Sequence, residues 1–186
     1  MKKLSVIAIC LSLACRAPDF VSVGLGYRNA YWSYRLSEKR KNIPFARAEL
    51  DYKLKNDLEG FLRLDFIKGD FRFTDNVEHF VEGDFEAFGA GLRFYPFREY
   101  FALETGAEVF RAEADAFGDF KLFKLGANDT VYGWGINAGA VAEFPLSDGA
   151  KIFISGGYNF TDNESKKIYF DFDGYYAFLG LKISIK

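Results

Sequence analysis

The sequence predicts an all-β protein, an eight-stranded antiparallel up-and-down transmembrane β-barrel. Apolar and polar residues alternate with a period of two through eight segments, and short and long connections alternate between those segments. The composition agrees, since 19% of the 186 residues are aromatic, with 22 Phe and 11 Tyr, and aromatic residues favour strands. No apolar run reaches the roughly 20 residues that a membrane-spanning helix needs. The length suits a single domain built from strands.

The first 17 residues have the pattern of a signal peptide for export. A basic start is followed by an apolar run and small residues, with cleavage expected after Ala14 or Ala17. Cleavage after Ala14 would leave Cys15 first, so lipidation of Cys15 is an alternative, although Ser12 stands where a lipobox prefers leucine. Residues 18–186 are predicted to form the barrel domain.

Period-two alternation runs through eight segments, the first at about residues 20–32. In the first four segments the apolar positions are Val21, Val23, Leu25, Tyr27 and Tyr31; Ala46, Ala48, Leu50, Tyr52 and Leu54; Leu62, Leu64 and Phe66; and Phe88, Ala90, Leu92 and Phe94. In the last four they are Phe101, Leu103, Thr105, Ala107 and Val109; Tyr132, Trp134, Ile136, Ala138, Ala140, Ala142 and Phe144; Ile152, Ile154, Tyr158 and Phe160; and Tyr175, Ala177, Leu179, Leu181, Ile183 and Ile185. Strands that cross a membrane in a barrel turn such a face to lipid.

Connection lengths favour an outer-membrane barrel. Short turns follow the second, fourth and sixth segments, at residues 55–57, 96–99 and 147–149. Longer polar loops follow the first, third, fifth and seventh segments, at residues 33–43, 74–83, about 116–130 and 161 to about 174. Outer-membrane barrels have short periplasmic turns and longer outer loops, so the predicted location is the bacterial outer membrane. A soluble lipocalin-like barrel is the alternative, but it would place apolar side chains inside and charges outside.

The alternation divides the barrel residues into an inner and an outer set. The charged inner set comprises Arg28, Arg47, Lys53, Arg63, Arg93, Lys151, Lys182, Glu49, Asp51, Asp65, Glu86, Glu104, Glu108 and Glu143. Residues predicted to face lipid are Leu50, Phe88, Leu92, Phe94, Phe101, Leu103, Trp134, Ile136, Leu179 and Leu181. Because an eight-stranded barrel is only wide enough for side chains to fill it, this charge-balanced set predicts a plugged interior of paired ions. A narrow or gated pore lined by the same charges is the alternative.

Pairs of glycines one residue apart occur in three of the strands, at Gly24 and Gly26, Gly89 and Gly91, and Gly133 and Gly135. They resemble nucleotide-binding loops, but each pair lies within a strand and no helix follows. We interpret them as inward-facing glycines that make room for long Arg and Glu neighbours.

Other candidate sites are weaker. His79, the only histidine, could act in catalysis, because some eight-stranded barrels modify lipids with a histidine and a serine, but no serine lies nearby in the sequence. The cluster Asp162, Asn163 and Glu164, together with Asp171 and Asp173, could bind a hard cation such as calcium, although ordinary solvated loop acids have the same appearance. We therefore expect no enzymatic activity, no metal and no cofactor.

The sequence has one basic run, in the first predicted loop, which contains Arg35, Lys39, Arg40 and Lys41. Such a loop could contact the phosphates of lipopolysaccharide or an acidic polymer on a host surface, or have no specific partner. The 24 basic and 26 acidic residues give a formal net charge of −2, which does not suggest nucleic-acid binding.

In this architecture the chain resembles the eight-stranded outer-membrane barrel superfamily of Gram-negative bacteria, the OmpA-like, OmpX-like and opacity-protein group. The final strand fits the spacing of that group at Gly180, Ile183 and Ile185, with Phe178 where a polar residue is common. The resemblance implies a non-enzymatic monomer with a structural or adhesive role and four surface loops. Outer-membrane lipid, lipopolysaccharide and the barrel assembly machinery would be its partners. A small-solute or ion porin is the alternative function, and a membrane-embedded lipid-modifying enzyme is the third.

Overall fold

A computed structural model describes residues 17–34, 37–74, 78–97, 100–120, 123–163 and 169–185. The predicted signal peptide lies outside these ranges, apart from Ala17. The strands are β1 (Phe20–Tyr34), β2 (Ser37–Lys55), β3 (Leu58–Thr74), β4 (Glu78–Phe94), β5 (Phe101–Phe120), β6 (Phe123–Ser147), β7 (Ala150–Asn163), β8 (Tyr169–Asp171) and β9 (Gly174–Ser184). Within the described ranges, no helix is long and apolar enough to cross a membrane.

The strands form a closed antiparallel barrel. From β1 to β7, each strand pairs with the next one in the sequence. β9 pairs with β7 on one side and with β1 on the other, which closes the wall. The short β8 pairs with a more distal part of β1, so β8 and β9 together occupy the eighth position, interrupted at Phe172 and Asp173. The predicted all-β, eight-stranded up-and-down barrel is therefore confirmed.

Alternation along each strand decides which side chains face outward. In β9, for example, buried positions alternate with more exposed ones along the whole strand. All ten residues that were predicted to face lipid lie on the outer face, most of them exposed and two, Leu92 and Leu181, partly covered by neighbours. The outer wall therefore carries a broad band of exposed apolar side chains, which suits contact with hydrocarbon.

The two ends of the barrel differ. Three short turns lie together at one end, which we call the turn end, and the first and last described residues lie there too. Backbone hydrogen bonds secure this end: the Tyr95 N–H donates to the Asp57 carbonyl at 2.9 Å, and the Ser184 N–H donates to the Gly149 carbonyl at 2.8 Å. The opposite end, which we call the extended end, is formed by long strands.

The long loops predicted for the extended end are mostly strands in the structure. Segments predicted as long loops at residues 33–43, 74–83 and 116–130 are mostly strand, because β1 to β6 continue into them. Part of the fourth, from residue 161, belongs to β7 and β8. The prediction ended the strands where the apolar alternation stopped. A strand surrounded by water can carry polar residues on its outer face without losing its backbone pairing.

Two groups of predicted loop residues therefore lie in strands. Lys39, Arg40 and Lys41 are in β2 and pair with β1, while Arg35 is outside the described residues. His79 is in β4, opposite β3 on one side and β5 on the other.

Candidate functional site: the barrel interior

The centre of the interior is organised by Arg93, which points inward because its neighbours in β4 face the outside. Its guanidinium donates to Glu104 of β5 at 2.8 Å, to Asp51 of β2 at 2.6 Å, and to Glu49 of β2. The Arg93 side chain is 1% exposed, and so is buried with all three carboxylates. One planar cation with five N–H donors thus joins strands on both sides of β4.

Arg47 and Asp65 form a second, two-pronged pair between adjacent strands. They stand opposite each other in the β2–β3 ladder, and the Arg47 Nε and Nη2 donate to the two carboxylate oxygens at 2.6 and 2.8 Å. The guanidinium carbon also lies 5.0 Å from the ring centre of Phe45 and 5.1 Å from that of Phe178. Burial between two rings and a matched carboxylate fixes this side chain.

A third pair crosses the full width of the barrel. Arg28 of β1 donates to Glu108 of β5, and these strands are four positions apart in a wall of eight. Arg63 of β3 lies 3.7 Å from the same carboxylate and 3.2 Å from Glu104. The carboxylates of β5 are therefore shared by cations from three other strands, including Arg93.

Toward the turn end a separate cluster closes the interior. Lys182 of β9 donates to Glu59 at 2.7 Å and to Glu143 at 2.9 Å. The Tyr95 hydroxyl lies 2.7 and 2.8 Å from oxygens of the same two carboxylates. Lys151, which is 25% exposed, donates to Glu143 at 2.9 Å from the rim.

Aromatic rings fill the space between the charges, and they lie over four of the six paired glycines. A Cβ at Gly24 would stand 2.7 Å from the Phe178 ring, and one at Gly26 would stand 2.7 Å from the Phe45 ring. Gly91 is covered in the same way by Phe61, and Gly133 by Phe110. The interpretation that glycines make room for Arg and Glu was thus wrong for these four.

The interpretation that a glycine makes room for Arg or Glu holds for Gly89 and Gly135. A Cβ at Gly89 would be 3.0 Å from Arg63 Nε, and one at Gly135 would be 3.4 Å from Glu108 Cγ. Inward glycines therefore accommodate whichever large side chain crosses them from the neighbouring strands.

Three phenylalanines close the interior toward the extended end. Phe85, Phe110 and Phe172 pack with ring centres 4.6 to 5.5 Å apart, and Arg28 lies 5.1 Å from the Phe85 ring. Phe172 comes from the interruption between β8 and β9. The adjacent Asp173 accepts hydrogen bonds from the backbone and hydroxyl of Thr161, so it has a structural partner here.

Along β4 the two faces exchange character toward the extended end. Phe88 is exposed on the outer face, but the next outer residues, Glu86 and Asp84, are charged and exposed, while Phe85 and Ala87 are buried inside. The same change occurs in β5, with Val109 outside, then Arg111 and Glu113 outside, and Phe110 and Ala112 inside. In these two strands the outer face is therefore apolar and the inner face polar below this level, and above it the outer face is charged and the inner face apolar.

The structure brings together most of the predicted inner charges. Eleven are buried inside, namely Arg28, Arg47, Glu49, Asp51, Arg63, Asp65, Arg93, Glu104, Glu108, Glu143 and Lys182, and Lys151 is partly buried at the rim. The prediction was wrong for Glu86, which shares the outer face with Phe88 because it lies two residues away. It was also wrong for Lys53, which is exposed next to the register shift between Lys53 and Lys55.

Sequence reasoning missed several inner polar residues. Glu59 was not included, although it lies two residues before Phe61 and four before Arg63 and so shares their face. Tyr176 donates to Glu104 at 3.1 Å, and Asn137 is 2% exposed inside the barrel. Both amide atoms of Asn137, and two nitrogens of Arg63, have no hydrogen-bond partner among the described residues. Water is the usual partner of such groups in protein interiors.

Comparison with known proteins identifies the fold. No protein-family model matches the chain, and no curated protein matches it in sequence. The structure is similar to Ail, the attachment invasion locus protein of Yersinia pestis, with a TM-score of 0.56 and 16% identity over 89% of this chain and 98% of Ail. It is also similar to Neisserial surface protein A, with a TM-score of 0.52 and 15% identity over 89% of this chain and 96% of that protein. A further structure of Ail, in complex with the heparin analogue sucrose octasulfate, gives a TM-score of 0.54 and 17% identity over 88% of this chain and 97% of Ail. The chain therefore has the fold of the eight-stranded outer-membrane β-barrels that its sequence resembles, and its apolar outer wall fits the predicted outer-membrane location.

Proposed function

We propose that this protein is a non-enzymatic outer-membrane β-barrel with a closed, non-conducting interior and a structural or adhesive role at the cell surface. The observation that carries the proposal is the set of ion pairs that crosses the interior, above all Arg93 with its three carboxylates and Arg28 with Glu108. In this arrangement the turn end faces the periplasm and the extended end faces outward.

The interior chemistry argues against an open channel. Eight strands leave an interior that side chains can fill, and here ionic and aromatic side chains from all parts of the wall meet in it. Breaking a buried pair leaves an uncompensated charge and costs about 3–5 kcal/mol. Opening a path between Arg93 and its partners would require several such breaks at once.

Planar-bilayer recording tests the closed interior. Purified protein that shows the heat-modifiable gel mobility of a folded barrel should produce no unitary currents, because the proposed closed interior leaves no continuous aqueous path past the Arg93 layer. Stable currents whose size changes in Arg93→Lys or Glu104→Gln would contradict the proposal. Lys53→Gln, an exposed site at the turn end, is the control for non-specific changes of charge.

A small-solute or ion pore is the second candidate. It is favoured by one observation, the buried polar atoms of Asn137 and Arg63 that have no hydrogen-bond partner among the described residues. A hydrated path past these residues would make proteoliposomes swell in a small sugar, and Asn137→Phe would slow the swelling. No swelling with the wild-type protein would count against this candidate.

The surface role is proposed to involve the basic run of Arg35, Lys39, Arg40 and Lys41, of which the last three lie in β2 near the extended end. Ail has been solved with a sulfated heparin analogue, and a basic segment of this kind attracts sulfate or phosphate groups in a salt-dependent way. Retention on a heparin column should fall when the four residues are changed to Ala. Lys53→Ala with Lys55→Ala, two exposed basic residues at the turn end, should leave retention unchanged.

The proposal assigns no catalytic residue and takes outer-membrane lipid, lipopolysaccharide and the barrel assembly machinery as the partners. Among the described residues there is no group of three or more His, Cys, Asp or Glu side chains that could hold a metal ion. Mass spectrometry of lipid A tests the enzymatic alternative. A lipid modification that depends on the protein and disappears in His79→Ala would replace the proposal with a lipid-modifying enzyme.

A further inference from the structure

A four-stranded sheet continues beyond the closed part of the barrel. It consists of residues 67–74 of β3, 78–85 of β4, 112–120 of β5 and 123–132 of β6, and we call it the outer sheet. Its strands are paired throughout, with continuous ladders from β3 to β4, from β4 to β5 and from β5 to β6.

Both edges of the outer sheet lack a neighbouring strand among the described residues. β2 pairs with β3 only up to Ala46 opposite Phe66, and β7 pairs with β6 only from Asn163 opposite Gly133. β6 therefore runs for 25 residues beside a β7 of 14 residues. An edge of this kind presents a row of backbone N–H and C=O groups that can pair with another strand.

These edges lie outside the apolar band. At the base of the outer sheet the outward residues of the two middle strands are Asp84 and Glu86 of β4 and Arg111 and Glu113 of β5, all exposed and charged. Beside them on β6 the outward residues are Thr130 and Tyr132. Charged residues on the outer wall are costly within hydrocarbon, so this level is in water. Water can solvate an unpaired edge, and a second strand can replace that water.

The free edges differ in how well their sequences prevent pairing. The outer part of β2 carries Lys39, Arg40, Lys41 and Pro44, and consecutive cations with a proline block strand addition. The β6 edge has one Lys and one Asp and no proline over residues 123–132. The β3 edge has both signs of charge over residues 67–74 and also no proline. Of these three edges, the β3 and β6 edges are therefore suited to pairing.

The directions of the strands, together with the shared orientation of all copies in the membrane, determine which two edges can pair in an antiparallel way. β3 runs toward the extended end and β6 runs away from it. All copies of a membrane barrel have the same orientation, so β3 of one copy and β6 of the next are antiparallel, whereas two β6 edges would be parallel. Antiparallel pairing is the more stable arrangement, and the mixed charges of both edges avoid a like-charge block.

We propose that the outer sheets of neighbouring copies join edge to edge, with β3 of one copy adding to β6 of the next. The occupant of each free edge is thus a second copy of this chain. The contact is heterologous, so it can link more than two copies into a row on the cell surface. The inference rests on the proposed outer-membrane location only through the shared orientation of the copies.

Cysteine cross-linking in isolated outer membranes tests this contact. Two differently tagged versions are co-expressed in a Cys15→Ser background, one with Asp70→Cys in β3 and the other with Asn128→Cys in β6. A short bis-maleimide should produce the mixed dimer, and cross-linking within each version should stay at the level of the control. The control pair is Asp57→Cys with Asp148→Cys, two exposed turn-end positions that report random collisions.

A variant with an added charge on the β6 edge tests whether the cross-link depends on strand pairing. Gly126→Lys in the β6 version should reduce the mixed dimer to the control level, because it adds a cation to the edge. A mixed dimer no more abundant than the control, or an adduct with a different protein in its place, would overturn the proposal. Heat-modifiable mobility of the same samples shows separately whether the barrel is folded in the membrane, so a failure of location is distinguished from a failure of pairing.

Discussion

The part of the barrel within the apolar band and the part toward the extended end place polar and apolar side chains on opposite faces of the wall. In the part surrounded by the apolar band, charges such as Arg93 and Glu104 are inside and apolar side chains such as Phe88 are outside. In the extended part, Phe85 is inside and Glu86 is outside. The same strand, β4, makes the change within a few residues. The surrounding solvent therefore decides which face is polar, since hydrocarbon excludes charges from the outer wall and water accepts them.

The largest loss of stability is expected for a substitution of Arg93. Arg93→Ala should lower the free energy of unfolding by about 3–5 kcal/mol, because it leaves Glu49, Asp51 and Glu104 buried without their shared cation. Urea unfolding in detergent, followed by tryptophan fluorescence and gel mobility, measures this. An unfolding midpoint equal to that of the wild type would mean that the Arg93 network does not hold the interior together.

A nearly equal effect is expected in the extended part, from an apolar residue. Phe85→Ala should cost about 3–5 kcal/mol, because it leaves a cavity beside Phe110 and Phe172. Phe88→Ala is the matched control on the apolar outer wall, where detergent or lipid can fill the space, and it should cost clearly less. Equal losses for the two variants would remove the distinction between the inner core of the extended part and the lipid-facing wall.

A smaller effect is expected where an aromatic ring crosses a glycine. Gly91→Ala should cost about 1–3 kcal/mol, because a methyl group there would overlap both the Thr105 carbonyl oxygen and the Phe61 ring, so the wall must adjust. Gly149→Ala in the turn, where nothing lies within 4 Å of the added group, should be nearly neutral in the same unfolding assay. A neutral Gly91→Ala would show that the Phe61 ring and the backbone of β5 can both move aside without loss of stability.

The smallest effect is expected for an outer ion pair. Arg111→Ala removes a salt bridge to Glu113 in which both side chains are 46% exposed. Pairs exposed to water contribute about 0–1 kcal/mol, so the unfolding midpoint should hardly change. A loss as large as that of Arg93→Ala would mean that this pair is not in water, and the boundary between the two parts would have to be moved.

The alternation of apolar and polar residues, together with the alternating connection lengths, predicted the barrel. The alternation also placed eleven of the buried charges on the inner face, because within the apolar band only the inner face accepts charges. Prediction was wrong at Glu86 for a physical reason. Charged residues of the strands were assigned to the inner face, but toward the extended end the charged residues of β4 lie on the outer face. Because of the same reversal, the prediction ended the strands too early and assigned the outer parts of the long hairpins to loops.

The aromatic content of the interior could not be predicted from period two. Phe61, Phe153 and Phe178 stand on the inward face, where the pattern favours polar residues. Their positions become understandable only when the glycines of neighbouring strands are known to lie beneath them, and that neighbourhood depends on the register of pairing. Glu59 was missed for a simpler reason, since the predicted strand began after it, although its position two residues before Phe61 assigns its face.

Cysteine labelling of intact bacteria tests the reversal of the two faces most directly. Single cysteines at Glu86, Arg111, Phe88 and Val109, in a Cys15→Ser background, would be exposed to a membrane-impermeant maleimide and analysed by the mass shift of the protein. We expect labelling of Glu86→Cys and Arg111→Cys and protection of Phe88→Cys and Val109→Cys, because only the first two stand in water at the cell surface. Protection of Glu86→Cys and Arg111→Cys, or labelling of all four sites alike, would contradict it.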